Sequence, residues 1–484
     1  MLFTILLTIA LAFGTETQHS PSQDILSSAS IEYKFINEAC KTNVSQTDTQ
    51  QKHYVADVLN VECAAPEGYE ITLVDSEHFE QLEINQNQFI LIKGGNGSAT
   101  IWKAQNETKK IINLVQGDLT LQNIEFQFTI INGTEPGTEP ILNPRDYIIY
   151  AENDKLRPSL TLKQCTFQSI SGVFDNDIFQ IFICDVTKAE FIDCSFKGAG
   201  IDKVSNVSMI HIESCNFTTL KKCKFQDAQI YHDVGPITLE ANFKGSQITI
   251  QDCEFTNITL IDEDSYAVLQ VTFLETAKSK ITGNTFINCS NVNQFTGALL
   301  IADALFDGSK DKYVFSNNTF TNNTGKISGS IYVLSNLQQL HYDFSDNNFK
   351  LNKNNVTDGL GQDAYFNFSN PSQNWTVDII TKELKGMFKG SISDAKNASV
   401  YFETYKDYKD VVLSGFITLP NSQTKKWYQN KYVIIGIACG AVVLIIAIIV
   451  IIICCVYCRK RRATYSSKGQ EKDPLIPHTQ QRSV

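Results

Sequence analysis

The chain has 484 residues, 43% of them hydrophobic and 11% aromatic, which excludes wholesale disorder and provides for a sizeable core. That length exceeds one ordinary compact domain and suits two or three, or a single solenoid. A formal net charge of −11 argues against a general nucleic-acid binder.

Residues 2–13, LFTILLTIALAF, form a short apolar run, and Ala12 and Gly14 put small residues at −3 and −1 of a cleavage site after Gly14. This predicts a secretory signal peptide over 1–14, since about 12 apolar residues are too few to span a bilayer. Residues 15–84 read as an N-terminal cap region, needed because an open solenoid end exposes a sheet edge. Cys40 and Cys63 are the disulfide candidate there. Nine cysteines precede residue 431, an odd number for an oxidising compartment, so at least one is free or bonded to another chain.

One motif recurs between 85 and 380. Its eight gap-free copies are LTLQNIEF (119–126), LTLKQCTF (160–167), AEFIDCSF (189–196), TTLKKCKF (218–225), ITIQDCEF (248–255), SKITGNTF (279–286), YVFSNNTF (313–320) and YDFSDNNF (342–349). Position 8 is always Phe and position 3 always apolar. Position 6 runs Ile124, Cys165, Cys194, Cys223, Cys253, then Asn284, Asn318, Asn347. A second short apolar run precedes most copies, as at Tyr147–Tyr150, Ile178–Ile183, Met209–Ile212 and Ile237–Leu239. These are strands of four to six residues separated by Asn, Asp, Gly and Ser turns. A repeat of about thirty residues is short for a propeller blade, and the leucine-rich consensus is missing.

The expected fold is therefore all-β: a right-handed parallel β-helix solenoid ectodomain plus one transmembrane α-helix. Equivalent side chains stack on themselves about 4.8 Å apart along such a solenoid. That accounts for an unvarying Phe, and for Cys over Cys giving way to Asn over Asn. Phe255 is expected between Phe225 and Phe286. Cys165, Cys194, Cys223 and Cys253 are expected inward and reduced. Tyr365–Phe368 and Val377–Ile380 read as further strands.

Gly297-Ala298-Leu299-Leu300 and Gly329-Ser330-Ile331-Tyr332, with Phe320-Thr321-Asn322-Asn323 and Phe349-Lys350-Leu351-Asn352, resemble the Gly-Gly-Ala-(Ile/Leu/Val) and Phe-x-x-Asn elements of polymorphic outer-membrane protein repeats. The wider resemblance, over about 85–370, is to pectate-lyase-like β-helix proteins. It implies a β-helical surface protein used for adhesion, and it carries over no catalytic residue.

Residues 381–431 read as a C-terminal cap and stalk. From Tyr432 to Cys458 no charged residue occurs in 27 positions, which predicts a transmembrane helix over 432–458. Arg459-Lys460-Arg461-Arg462 at once beyond it mark 459–484 as a cytosolic tail, giving type I, plasma-membrane topology. Cys454, Cys455 and Cys458 are palmitoylation candidates. Glu471 with Leu475 and Ile476 looks like the acidic dileucine signal read by clathrin adaptors, which implies cycling through endosome or lysosome. Sequons occur at Asn43, Asn96, Asn106, Asn132, Asn206, Asn216, Asn257, Asn288, Asn317, Asn322, Asn355, Asn367, Asn374 and Asn397. Asn257, Asn288 and Asn322 each lie two residues past the repeat Phe, so a solenoid places them one above another.

No catalytic, metal or cofactor site stands out. The acidic turns Asp175/Asp177 and Asp262-Glu263-Asp264, and the pair Asp193 and Asp252, read as solvated turns. The functional expectation is a single-pass membrane glycoprotein binding an extracellular protein or glycan. The alternative is a membrane-anchored polysaccharide lyase or glycoside hydrolase.

Overall fold

The computed structural model describes residues 39–421 except 96–97, 104–109, 128–146, 172–177, 233–234, 305–311, 337–339, 356–359, 370–373, 397 and 407–409. The signal peptide, the span over 432–458 and the tail lie outside the described residues. Among the described residues no helix is long and apolar enough to cross a membrane.

The repeat motif turns a corner. Positions 1–4 lie in one strand, such as Gln247–Gln251, and positions 7 and 8 open the next, Glu254–Leu260. Position 5 sits between them with positive φ in every copy: Asn123 56°, Gln164 54°, Asp193 53°, Lys222 54°, Asp252 56°, Gly283 73°, Asn317 58° and Asp346 58°. A single left-handed residue between two extended strands redirects the chain sharply, and Asn, Asp and Gly tolerate that conformation best. Position 6 then faces inward; Cys165, Cys194, Cys223, Cys253, Asn284, Asn318 and Asn347 are all buried.

Repetition of this corner yields a parallel β-solenoid of about 9 turns. Three ladders run along it. One holds the upstream apolar runs, as in Ile237–Ala241 beside Leu269–Phe273; the second holds motif positions 1–4; the third holds the Phe. Some strands run through the first and second ladders together, bending at Gly117 in Lys110–Gln122, Asp185 in Ile178–Ile192 and Ser214 in Val207–Lys221. All three bends have positive φ. The expected continuation at Tyr365–Phe368 lies in Ala364–Ser369, paired with Ile331–Ser335.

Apart from a small second cluster of Ala267, Leu300 and Tyr332, the main core is a continuous cluster within the coil. Its spine is an aromatic stack from Trp102 through Phe126, Phe167, Phe196, Phe225, Phe255, Phe286 and Phe320 to Phe349, with ring centroids 4.4–5.9 Å apart.

The ends depart from expectation. Parallel pairing reaches back to Cys40–Val44, which pairs with Tyr69–Leu73, inside the segment read as a cap region. The short helix Val55–Leu59 buries Val55, Val58 and Leu59 there. Cys40 and Cys63 form a disulfide, with Cα atoms 6.0 Å apart. At the other end, Val377–Met387 is an α-helix, not the strand expected at Val377–Ile380. Thr376 caps it by accepting from Ile379 N at 3.3 Å, and Ile380, Leu384 and Met387 bury one helical face. Four β-branched or acidic residues in a row hid that period. The last parallel strand, Val400–Lys406, is then covered by the antiparallel strand Asp410–Ile417.

Two outcomes are expected. Phe255 is fully buried, with Phe225 at 5.0 Å and Phe286 at 4.4 Å, so Phe255→Ala should lower unfolding free energy by about 3–5 kcal/mol, read by chemical denaturation. Buried Asp363 has its carboxyl pushed up to about 7 by burial, against hydrogen bonds from Ser393 Oγ (2.5 Å) and Asn352 Nδ2 (3.2 Å). As pH rises from about 4 to 7 the unfolded chain releases this proton while the folded one holds it, so stability is full below that window and falls across it. Asp363→Asn should remove this slope and raise stability at neutral pH by roughly 2–4 kcal/mol, measured by thermal and urea unfolding from pH 4 to 8.

Candidate functional site: an aromatic and acidic strip on the outer face

Alternate residues of the first ladder face outward. Between them Ile149, Ile181, Ile210 and Ile237, and Ala151, Ile183, Ile212 and Leu239, fill the core. One outward row therefore reads Tyr150, Phe182, His211, Thr238, and the row two residues on reads Glu152, Cys184, Glu213, Glu240. The alternation of a pleated strand thus builds an aromatic row beside an acidic one.

The aromatic row is stacked. Tyr150 and Phe182 lie 5.5 Å apart at 11°, and Phe182 and His211 lie 5.2 Å apart at 2°. Phe179 meets His211 edge-on at 5.3 Å. Lys110 caps one end, with Nζ 3.4 Å from the Tyr150 ring centroid. Burial lowers the Lys110 pKa, while the charges of Glu152 and Glu83 oppose that shift.

The acidic row is graded by its neighbours. His211 Nε2 lies 2.5 Å from Glu213 Oε1, and that hydrogen bond holds the Glu213 carboxyl below the usual range. Burial, followed by the Glu213 charge, pushes the Glu240 carboxyl up. Burial also drives the Cys184 thiol up to about 12, reinforced by Asp185 and Glu213; its Sγ lies 3.5 Å from Asp185 Oδ2 and 4.0 Å from Glu213 Oε2. A thiol so placed stays protonated and is a poor nucleophile. The strip offers binding chemistry: carboxylates, ring edges and hydrogen-bond acceptors.

Other expected residues fall elsewhere. Asp193 and Asp252 occupy left-handed corners, and the Asp262 carboxylate accepts from Asp264 N at 2.9 Å. Asp175 and Asp177 lie outside the described residues. Arg157 donates to Val186 O, Ser214 O and Asn216 Oδ1 at 3.2–3.3 Å and lies over the Phe243 ring at 4.1 Å. Cys165, Cys194, Cys223 and Cys253 are buried free thiols, as are Cys215 and Cys289. Among the described residues no group of three or more His, Cys, Asp and Glu is disposed to hold a metal ion.

Asn257, Asn288 and Asn322 do stack. Their Nδ2 atoms donate in turn to Asp227, Asn257 and Asn288 Oδ1 at 3.0, 2.9 and 2.8 Å. All three have positive φ, so this residue type is also the corner's own requirement. Of the other sequons, Asn43, Asn317, Asn355 and Asn374 are exposed, while Asn216 and Asn367 are half-buried. Asn206 is buried, which disfavours a glycan there. Asn96, Asn106, Asn132 and Asn397 lie outside the described residues, as do Cys454, Cys455, Cys458, Glu471, Leu475 and Ile476.

The strip was missed in the sequence, yet it left a signal. Tyr150-Ala-Glu152, Phe182-Ile-Cys184, His211-Ile-Glu213 and Thr238-Leu-Glu240 share an outward–inward–outward alternation at the end of each upstream run. No family model matches the chain, and no curated protein matches it in sequence.

The charge around Cys184 is directly testable. In the folded chain at pH 8, maleimide should label Cys184 roughly two to three orders of magnitude more slowly than a free thiol, read by peptide mapping. Asp185→Asn with Glu213→Gln should recover part of that rate.

Proposed function

We propose that the chain is a single-pass type I membrane glycoprotein whose ectodomain, a right-handed parallel β-helix akin to polymorphic outer-membrane protein repeats, binds or adheres at the cell surface. The observation that carries this reading is the outward strip: stacked rings and carboxylates repeated over consecutive turns of a rigid ladder. Right-handed winding follows the general preference for parallel crossovers. The signal-like segment 1–14, the apolar run 432–458 and the basic residues after it supply the topology. Glu471, Leu475 and Ile476 would connect the tail to clathrin adaptors and cycle the protein from the plasma membrane to endosome or lysosome.

A membrane-anchored polysaccharide lyase or glycoside hydrolase is the second reading. It is favoured by the carboxylates of Glu213 and Glu240 on neighbouring turns, with Glu152 two turns before Glu213. Against it, His211 is bonded to Glu213 and Arg157 to three oxygen atoms.

Expression of the full chain in a non-adherent cell line tests the first reading. Surface biotinylation should label the protein, peptide N-glycosidase should shift its mass, and attachment to tissue monolayers should rise. Glu213→Lys should return attachment to the level of untransfected cells at unchanged surface density. Absence from the surface, or attachment indifferent to the strip, would sink this reading. New reducing ends released from polygalacturonate would favour the second.

A further inference from the structure

One end of the strip holds buried polar atoms that no hydrogen bond meets. On the strand Val207–Lys221 and the next turn, Ile237–Ala241 with Asn242 just beyond it, His211 Nδ1, Thr238 Oγ1 and Asn242 Oδ1 are buried atoms without a hydrogen-bond partner among the described residues. His211 and Thr238 are only 6% and 2% exposed. His211 Nε2 is engaged by Glu213, so Nδ1 is the ring nitrogen left unengaged. Glu213 and Glu240 stand in the adjoining row. Among the described residues no lysine or arginine forms an ion pair with either glutamate. Buried polar atoms left unmet are costly, and three that can accept, beside two carboxyl groups, suit a cation rich in N–H donors.

Two of the chain's own cations illustrate the fit. At the far end of the strip, the Lys110 ammonium lies over Tyr150 within the field of Glu152 and Glu83. One corner away, the Arg157 guanidinium reaches Val186 O and Ser214 O, on adjacent turns, and lies over Phe243. Neighbouring turns are roughly 4.8 Å apart, a spacing that a planar five-donor fork can bridge and a compact ammonium meets less fully.

We propose that Glu213, Glu240, His211, Thr238 and Asn242 form a recognition site for the guanidinium group of an arginine side chain on a partner protein. This deepens, and rests on, the surface-binding reading given above. The partner side chain donates to the carboxylates and to the unmet acceptors, and the edges of the Phe182 and His211 rings flank it. No covalent step is involved.

The test measures binding of tetra-arginine amide and tetra-lysine amide to the full chain in lipid nanodiscs, by calorimetry. Tetra-arginine should bind more tightly than tetra-lysine. The Glu213→Gln, Glu240→Gln double variant should weaken tetra-arginine binding about tenfold or more. Thr238→Val keeps shape and net charge, and should weaken it by about threefold. Glu263→Gln, in the acidic turn 262–264, should leave it unchanged. Equal affinity in the double variant and the parent would overturn the site, as would an equal loss in Glu263→Gln, which marks mere net acidity. Should the double variant unfold, Thr238→Val decides. Persistent cell attachment without tetra-arginine binding removes the arginine assignment and spares the surface-binding reading; peptide binding without attachment does the reverse.

Discussion

Everything in this molecule depends on stacking one turn on the next in unbroken register. A parallel ladder repeats at about 4.8 Å, so each corner must redirect the chain the same way or the pairing slips. The left-handed residue at motif position 5 supplies that uniformity. Gly283 meets the same demand without a side chain, at a φ of 73° that side-chain-bearing residues rarely adopt. Gln164 and Lys222 hold the same conformation without the usual residue type. The stacked interior around them over-determines a geometry that is locally unfavourable.

Inside the coil, the register is read by two kinds of side chain. Toward the N-terminal half, Cys165, Cys194, Cys223 and Cys253 act as small apolar fillers. Further along, asparagines replace them and bind the backbone of the preceding turn. Cys253 N donates to Asn284 Oδ1 at 2.9 Å, Asn284 N to Asn318 Oδ1 at 2.9 Å, and Asn318 N to Asn347 Oδ1 at 2.7 Å. A parallel row runs from Cys289 N to Asn323 Oδ1 and from Asn323 N to Asn352 Oδ1. The Phe-x-x-Asn element is thus a buried amide ladder. It ends on Asp363, where Asn352 Nδ2 donates to the carboxyl at 3.2 Å. Polar ladders of this kind specify position because a slipped turn would leave each amide unmet in the core.

The repeats and the aromatic spine were legible because they recur at one position in eight copies. Trp102 continues the spine before the first copy, and no repeated letter marked it. The helix Val377–Met387 and the early turns around Cys40–Val44 and Tyr69–Leu73 were not legible, because each occurs once and draws its stability from what it covers. The N-terminal helix is an example: its Val55 and Ala56 amides are held by Glu80 Oε2 and Oε1 at 2.8 Å, and Glu80 also bonds buried His78 at 2.7 Å. These contacts span some twenty-five residues of chain and follow no period. The outer strip was hidden for a different reason. Phe recurs in the third-ladder strand of all eight copies because the core demands it, whereas outward residues vary from turn to turn.

That variation is what a solenoid leaves open to function. The core constrains inward positions so strongly that each outward position is set independently, while its spacing to the next turn is already fixed. Tyr150, Phe182 and His211 use the spacing to stack, and Glu213 and Glu240 use it to set charges on neighbouring turns. A flexible loop would have to lose conformational entropy to hold such a row in place; here the ladder has lost it already during folding. Under the surface-binding role proposed above, a ligand would meet carboxylates and rings whose spacing is already fixed. The selectivity of the face depends on which outward residues the ladder carries, while its affinity depends on how rigidly the ladder holds them.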